Sequence, residues 1–290
     1  MDIGSCFKNF CDKLKLSNGD ETLKASRFHS ITKRINLDFW GTDSDTYHSF
    51  YTGSHGRGTD IYTSDIDMVV VLPYSIYSKY NSYLFNGQSQ LLQAVKESIS
   101  KTYPSTSISG DGQVVDVVFS DGMKFEVVPA FINSDNTTYT YPDTHDGGSW
   151  RVMNPKNEIT VFNAMNTATN GNLKNFCKMI REWNKINNVF IPGILIDTLV
   201  YNFLKNYDYN DKSYLYYDWF TRDFMQYLIS NHDQSKWLVP GGNWFASRVY
   251  SFSREAKDAY EHAINAIEYA TKKYDYSCGE EWKKIYGSKF

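Results

Sequence analysis

The stretch that most constrains the fold is "SDIDMVVVLP", residues 64–73. Its continuous apolar run, ended by proline, predicts a strand covered on both faces. Asp65 and Asp67 flank Ile66 at the mouth of that strand. Side chains alternate along a strand, so both aspartates point to one face while Ile66 enters the core. Two carboxylates that close repel unless a cation sits between them. A hard divalent ion, Mg²⁺ above all, takes such oxygen ligands and keeps waters and substrate phosphates as its others.

The rest of the chain divides by pattern. Ile3, Phe7, Phe10 and Leu14 predict a short amphipathic helix. Leu23, Phe28, Ile31, Ile35 and Phe39 predict a longer one over Asp20–Trp40, capped by Ser17 or Asn18. "VVDVVF" and "KFEVVPAF" are β-rich runs joined through Asp121-Gly122, which reads as an antiparallel hairpin. From about Glu158 the pattern turns helical. "NLKNFCKMIREWNKI" puts Leu173, Phe176, Cys177, Ile180 and Trp183 on one face. Three more helical segments follow, in "GILIDTLVYNFL", "DWFTRDFMQYLI" and a run that Ser253 is expected to cap. The expected domains are 1–157 and 158–290.

Composition narrows the function. The 290 residues carry 30 Lys+Arg against 33 Asp+Glu, a net charge of −3. A dedicated duplex-DNA binder would carry a basic excess, whereas a mononucleotide needs only a local pocket. Cys6, Cys11, Cys177 and Cys278 show neither C-x-x-C pairing nor zinc spacing and read as reduced thiols. With no apolar run of membrane-span length and no secretory signal, the expected location is the cytoplasm.

Gly53-Ser54 precedes Asp65 with ten residues between. Glycine lets the backbone approach a phosphate, and exposed N–H groups with the Ser54 hydroxyl can donate to it. A phosphate cradle beside paired carboxylates is equipment for phosphoryl or nucleotidyl transfer. "TGS", ten residues and "DIDM" resemble the signature of the DNA polymerase β-like nucleotidyltransferase superfamily. "GSHGRGTDIYTSDIDMVV", "FEVVPAF", "YPDTHDGGSWRVMNP" and "WNKINNVFIPGILIDTLVYNFL" together resemble the bacterial CD-NTase family in its SMODS-domain form. Its relatives include cyclic GMP-AMP synthase and oligoadenylate synthase.

That resemblance implies an α+β fold: a polymerase β-like core of mixed sheet and flanking helices, packed on a C-terminal helical lobe with the active site between. It implies a third carboxylate, for which Glu126 is the candidate and Asp116 the reserve; aspartate is the commoner residue there. Asp65, Asp67 and Glu126 would then hold two Mg²⁺ ions, replaceable by Mn²⁺, with Glu126 taking the proton of the attacking hydroxyl. Gly53 and Ser54 would cradle the triphosphate.

Lys174, Lys178, Arg181 and Lys185 fall at i, i+4, i+7 and i+11, a single stripe that is either a solvated helix face or a source of phosphate contacts. Under the resemblance Lys178 is the first choice, with Lys174 or Arg181 second. Arg57 either touches phosphate or shapes its turn, His55 reads as loop packing, and Asp197 as a helix-packing or base-reading residue. Among Tyr216, Tyr217 and Trp219, core packing is weighed against base stacking.

The implied activity joins nucleoside triphosphates, ATP and GTP among them, into a cyclic dinucleotide. A guanine-containing product such as cyclic di-GMP is favoured. It would act as a second messenger in anti-phage (CBASS-type) signalling, reaching its effector by diffusion. A monomer without membrane or stable nucleic-acid partner is expected. The alternatives are a protein-modifying or toxin–antitoxin nucleotidyltransferase and an inactive nucleotide binder of the same fold.

Overall fold

Ser17 caps the longer helix: its side chain accepts from the Asp20 N–H at 3.1 Å. The structure, a computed structural model, describes residues 2–290. Helix α1 spans Ile3–Lys13 and α2 Asn18–Ile35. A π-helical turn, Asn36–Trp40, carries α2 on until Gly41 adopts the left-handed conformation and stops it. Strand β1 (Ser49–Tyr51), α3 (Gly53–Arg57), β2 (Ile66–Val71), α4 (Tyr74–Asn81) and α5 (Gly87–Thr102) come next. They lead to β3 (Ser107–Asp111), β4 (Val114–Val118), β5 (Lys124–Ile132), β6 (Tyr139–Asp143) and β7 (Ser149–Met153). Beyond lie α6 (Pro155–Ala168), α7 (Asn172–Ile186), α8 (Gly193–Lys205) and α9 (Tyr217–Ser230). A small hairpin of β8 (Lys236–Leu238) and β9 (Phe245–Ser247), then α10 (Ser253–Thr271) and α11 (Asp275–Tyr286), complete the order.

These elements form two compact units, one of residues 17–57 and 63–159, the other of residues 1–16, 58–62 and 160–290. In the sheet unit the strand order is β1-β2-β5-β4-β3, with β6 on β5 and β7 on β6. The central pair β2 and β5 is parallel, and β4–β5 is the expected antiparallel hairpin. Its turn is closed by Phe119 N–H donating to the Met123 carbonyl, with Gly122 at φ +88°. Ile66, Met68 and Val70 of β2, Val115 and Val117 of β4, and Phe125 and Val127 of β5 pack against Phe28, Ile31 and Ile35 of α2 and Leu91, Val95 and Ile99 of α5. Each such side chain, fully buried, contributes about 1.5–3 kcal/mol. The alternation sends the residues between them (Asp67, Asp116 and Glu126) to the opposite face.

In the helical unit, Phe176 and Trp183 of α7, Leu195 and Leu199 of α8, and Phe220 and Phe224 of α9 share one core. Helix α1 joins it: the Phe7 ring meets Trp282 edge-on at 5.1 Å, and Phe10 lies 4.8 Å from Tyr286. Ser253 opens α10 but does not cap it; the cap position is taken by the buried Phe252, which has no capping hydrogen bond. Among the described residues no disulfide joins the four cysteines. No helix among the described residues is long and apolar enough to cross a membrane.

Candidate active site

The carboxylates meet because of strand register. Asp67 on β2 lies directly beside Glu126 on β5, and Glu126 lies directly opposite Asp116 on β4. Three acidic side chains thus stand abreast on adjacent strands, and Asp65 enters from the residue before β2. Glu126, the candidate third carboxylate, is in the middle. Asp116, the reserve, is one strand further from Asp67. Both therefore belong to the cluster, with Glu126 nearer the Asp65/Asp67 pair in strand order.

Lys124 was not among the sequence candidates, although its position two residues before Glu126 on β5 places it on the same face. Its Nζ donates to Glu126 Oε1 at 2.6 Å and lies 3.2 Å from Asp116 Oδ1 and 3.6 Å from Asp65 Oδ2. Burial works against this ammonium's charge, but hydrogen bonds to Glu126 and Asp116 outweigh it and hold its pKa above the usual lysine value. Asp67, the most enclosed of the ligand candidates, is pushed up to about 7, first by burial and then by the neighbouring Glu126 charge; Arg57 opposes the shift. Burial also raises Asp65, against the pull of Lys124.

These residues fit a divalent cation. The donor set is all hard oxygen, and a cation, the Lys124 ammonium, already stands among three of the carboxylates. Among the described residues no three acidic, histidine or cysteine groups converge tightly enough to grip an ion as they stand. The ammonium already engages Glu126 and Asp65, two of the three candidate ligands.

The Gly-Ser turn abuts this cluster. Thr52 N–H donates to the Asp67 carbonyl at 3.0 Å, tying the turn to β2. Gly53 has φ +55°, and a Cβ there would stand 1.9 Å from Asp67 Oδ2. Backbone conformation and contact both demand glycine. Gly53→Ala is therefore expected to displace Asp67 and cost about 1–3 kcal/mol from overpacking, a loss that a urea unfolding curve would register. Ser54 follows, buried. His55 packs beside the Tyr51 ring at 6.4 Å. Arg57 is buried 3.5 Å from Glu158 Oε2, a pairing with no local sequence signal.

The basic stripe of α7 is not a solvated face. Within the helical unit it holds the segment 58–62. Lys178 Nζ donates to the Asp60 carbonyl at 2.6 Å and lies 3.7 Å from its carboxylate. Arg181 donates to both Asp197 oxygens, at 2.8 and 3.3 Å, and to the Gly193 carbonyl at 3.0 Å. Thr59 Oγ1 donates to Asp197 at 2.7 Å. Lys185 donates to the Tyr62 hydroxyl at 2.7 Å, and Lys174 to Asn163 at 2.6 Å beside Gly58. Burial lowers the pKa of Lys174 and Lys178. Asp197 is thus a fully buried packing partner. Tyr217 is core, its hydroxyl donating to Asn172, whereas Trp219 reaches the surface beside Tyr216.

A mixed sheet with acidic residues abreast on its central strands and a glycine turn against them is the arrangement that the polymerase β-like resemblance implies. Residues 1–166 match the model of the Second Messenger Oligonucleotide or Dinucleotide Synthetase (SMODS) domain, and the chain belongs to that family. It is 27% identical over 177 residues to a probable cyclic nucleotide synthase of Bacillus cereus strain VD146. That match covers 57% of this chain and 51% of the relative, so the chain spans about half the length of the curated protein it matches. In fold it is similar to the cyclic AMP-GMP synthase DncV of Vibrio cholerae in complex with a linear intermediate. The TM-score is 0.73 at 13% identity, covering 99% of this chain and 96% of that one. It is also similar to CdnC of E. coli MS115-1 with ATP, at a TM-score of 0.66 and 18% identity, covering 100% and 99%. These likenesses confirm the expected α+β fold.

Proposed function

We propose that this chain is a metal-dependent cyclic oligonucleotide synthase that joins nucleoside triphosphates into a cyclic dinucleotide. The observation that carries this reading is the alignment of Asp67 and Glu126 on adjacent parallel strands, with Asp65 at the mouth and Gly53 pressed against Asp67. Asp65, Asp67 and Glu126 are the proposed ligands of Mg²⁺ or Mn²⁺. Bound there, the cation supplies Lewis-acid polarisation of the phosphates and offsets charge on the departing pyrophosphate.

The chain's own groups do the rest. Backbone N–H groups at Gly53 and Ser54 donate to phosphate oxygens, in a turn that the missing side chain at Gly53 lets lie against Asp67. A ribose hydroxyl attacks the α-phosphorus of a second triphosphate, the bond to pyrophosphate breaks, and Glu126 Oε accepts the hydroxyl proton. A second transfer of the same kind closes the ring.

Lys174 and Arg181, the latter committed to buried Asp197, stand second to the proposed triphosphate contact, Lys178. Its internal bond to the Asp60 carbonyl is the contact a phosphate would have to share or replace. The fold is shared with a cyclic AMP-GMP synthase. A guanine-containing product in anti-phage signalling is our reading for this chain.

The test is incubation of the purified protein with the four labelled nucleoside triphosphates, singly and mixed, with Mg²⁺ or Mn²⁺. Phosphatase treatment and mass spectrometry follow. A phosphatase-resistant cyclic species is expected, and its mass names the bases. A linear product only, or nucleotide transferred to protein, would replace this reading with that of another nucleotidyltransferase. No product from any mixture would leave an enzyme that needs a partner to switch it on or an inactive binder, which a repeat with lysate from infected cells separates.

A further inference from the structure

Lys124 has no assigned part in the chemistry above, yet it holds the centre of the acidic cluster. Its ammonium touches carboxylates from three separate backbone segments: Glu126 on its own strand, Asp116 on β4, and Asp65 ahead of β2. Four acidic side chains converge on this face, and the ammonium among them offsets part of their mutual repulsion. A divalent ion at Asp65, Asp67 and Glu126 would claim the Glu126 and Asp65 oxygens that the ammonium now engages. Two cations cannot share those oxygens at hydrogen-bond range without strong repulsion.

The register shows where the ammonium can go. Lys124 is paired with Val118 across the β4–β5 hairpin, so Asp116 is its diagonal neighbour, on the side of β5 away from Asp67. The 3.2 Å approach to Asp116 already exists, and the lysine side chain is 26% exposed. A four-carbon stem can move its charge toward that side by rotamer change alone.

We propose that Lys124 is a tethered counter-ion: it holds the carboxylates together in the metal-free protein and withdraws onto Asp116 when metal enters, thereby setting the metal affinity. The proposal rests on the metal-dependent reading above. Lys124 is a positioning residue, not a catalytic one. Its charge keeps Asp65 and Glu126 from splaying apart and makes occupancy by metal a competition.

The experiment is Mn²⁺ titration by calorimetry and electron paramagnetic resonance, with melting curves in the absence of metal. Wild type, Lys124→Met, Lys124→Gln, Lys124→Arg, Asp116→Asn, Lys124→Met/Asp116→Asn and Asp65→Asn/Asp67→Asn are compared. Removing a like charge beside the site should tighten Mn²⁺ binding by about tenfold or more in Lys124→Met and Lys124→Gln. Lys124→Arg should remain near wild type, and the neutral variants should melt lower without metal. Asp116→Asn should weaken Mn²⁺ binding when Lys124 is present and do so less in the Lys124→Met background.

Unchanged or weaker binding in both neutral variants, with binding still abolished by Asp65→Asn/Asp67→Asn, would overturn the role of Lys124 and leave the metal reading standing. An equal effect of Asp116→Asn in both backgrounds would overturn Asp116 as the acceptor of the lysine. Absence of Mn²⁺ binding by wild type and by both neutral variants would overturn the metal reading, and this proposal with it.

Discussion

Asp67→Asn should cut nucleotide turnover by about 10²–10³-fold, the scale seen when a group that stabilises transition-state charge is removed. The same substitution should make the metal-free protein more stable. Asp67 is enclosed beside Glu126, so its ionised form is disfavoured in the folded state and its pKa rises to about 7. Between about pH 4 and pH 7 the folded protein therefore holds a proton that the unfolded chain has released. Stability then falls as pH rises across that window, and the cost of ionised Asp67 is fully present above it.

Asparagine removes the charge and the slope together. Urea unfolding in EDTA at pH 5, 6, 7 and 8 should show the decline in wild type and a flatter profile in Asp67→Asn. Added Mg²⁺ should reverse the decline in wild type only. A variant that loses activity and stability alike at every pH would mean that Asp67 is a packing residue and not a strained ligand.

Asp197→Ala should destabilise the protein by about 3–5 kcal/mol, the loss seen when one partner of a buried ion pair is removed. Asp197 is fully buried, and the Arg181 guanidinium that it neutralises keeps little exposure. Thr59 also donates to Asp197, so segment 58–62 loses an anchor to α7 and α8 at the same time. Guanidinium denaturation measures the loss directly.

The companion Arg181→Met/Asp197→Leu should recover much of the stability, because no charge is then left buried alone. A loss below about 1 kcal/mol, the range of an exposed pair, would show that water reaches Arg181 and that the pair is not structural.

The two predictions concern residues of opposite legibility. Asp65 and Asp67 were readable because alternation is local: the pair, the apolar run after it and the Gly53-Ser54 turn, separated from it by ten residues, lie within one short stretch. The β4–β5 hairpin was equally readable, since Asp121-Gly122 sits between two β-rich runs. Helix α7 was readable by its period, yet the task of its basic stripe was not. A stripe of Lys and Arg looks the same whether it faces water, a phosphate or a returning segment of its own chain. Only the path of residues 58–62 turned that stripe into a set of internal anchors.

Local pattern by itself determined that this chain has a strand with paired carboxylates at its mouth, a glycine turn ahead of it, a hairpin and a helical second half. It also determined the faces these elements present, because a period of 2 or 3.6 needs no distant partner. The tertiary structure decided which carboxylates stand together. Asp67, Glu126 and Asp116 are abreast only because β2, β5 and β4 pair in one register, and a slip of one residue would turn them to the opposite face. It also placed Lys124 among them. Strand pairing across distant segments is set by what the whole sheet buries against α2 and α5, and no short window of sequence contains that information.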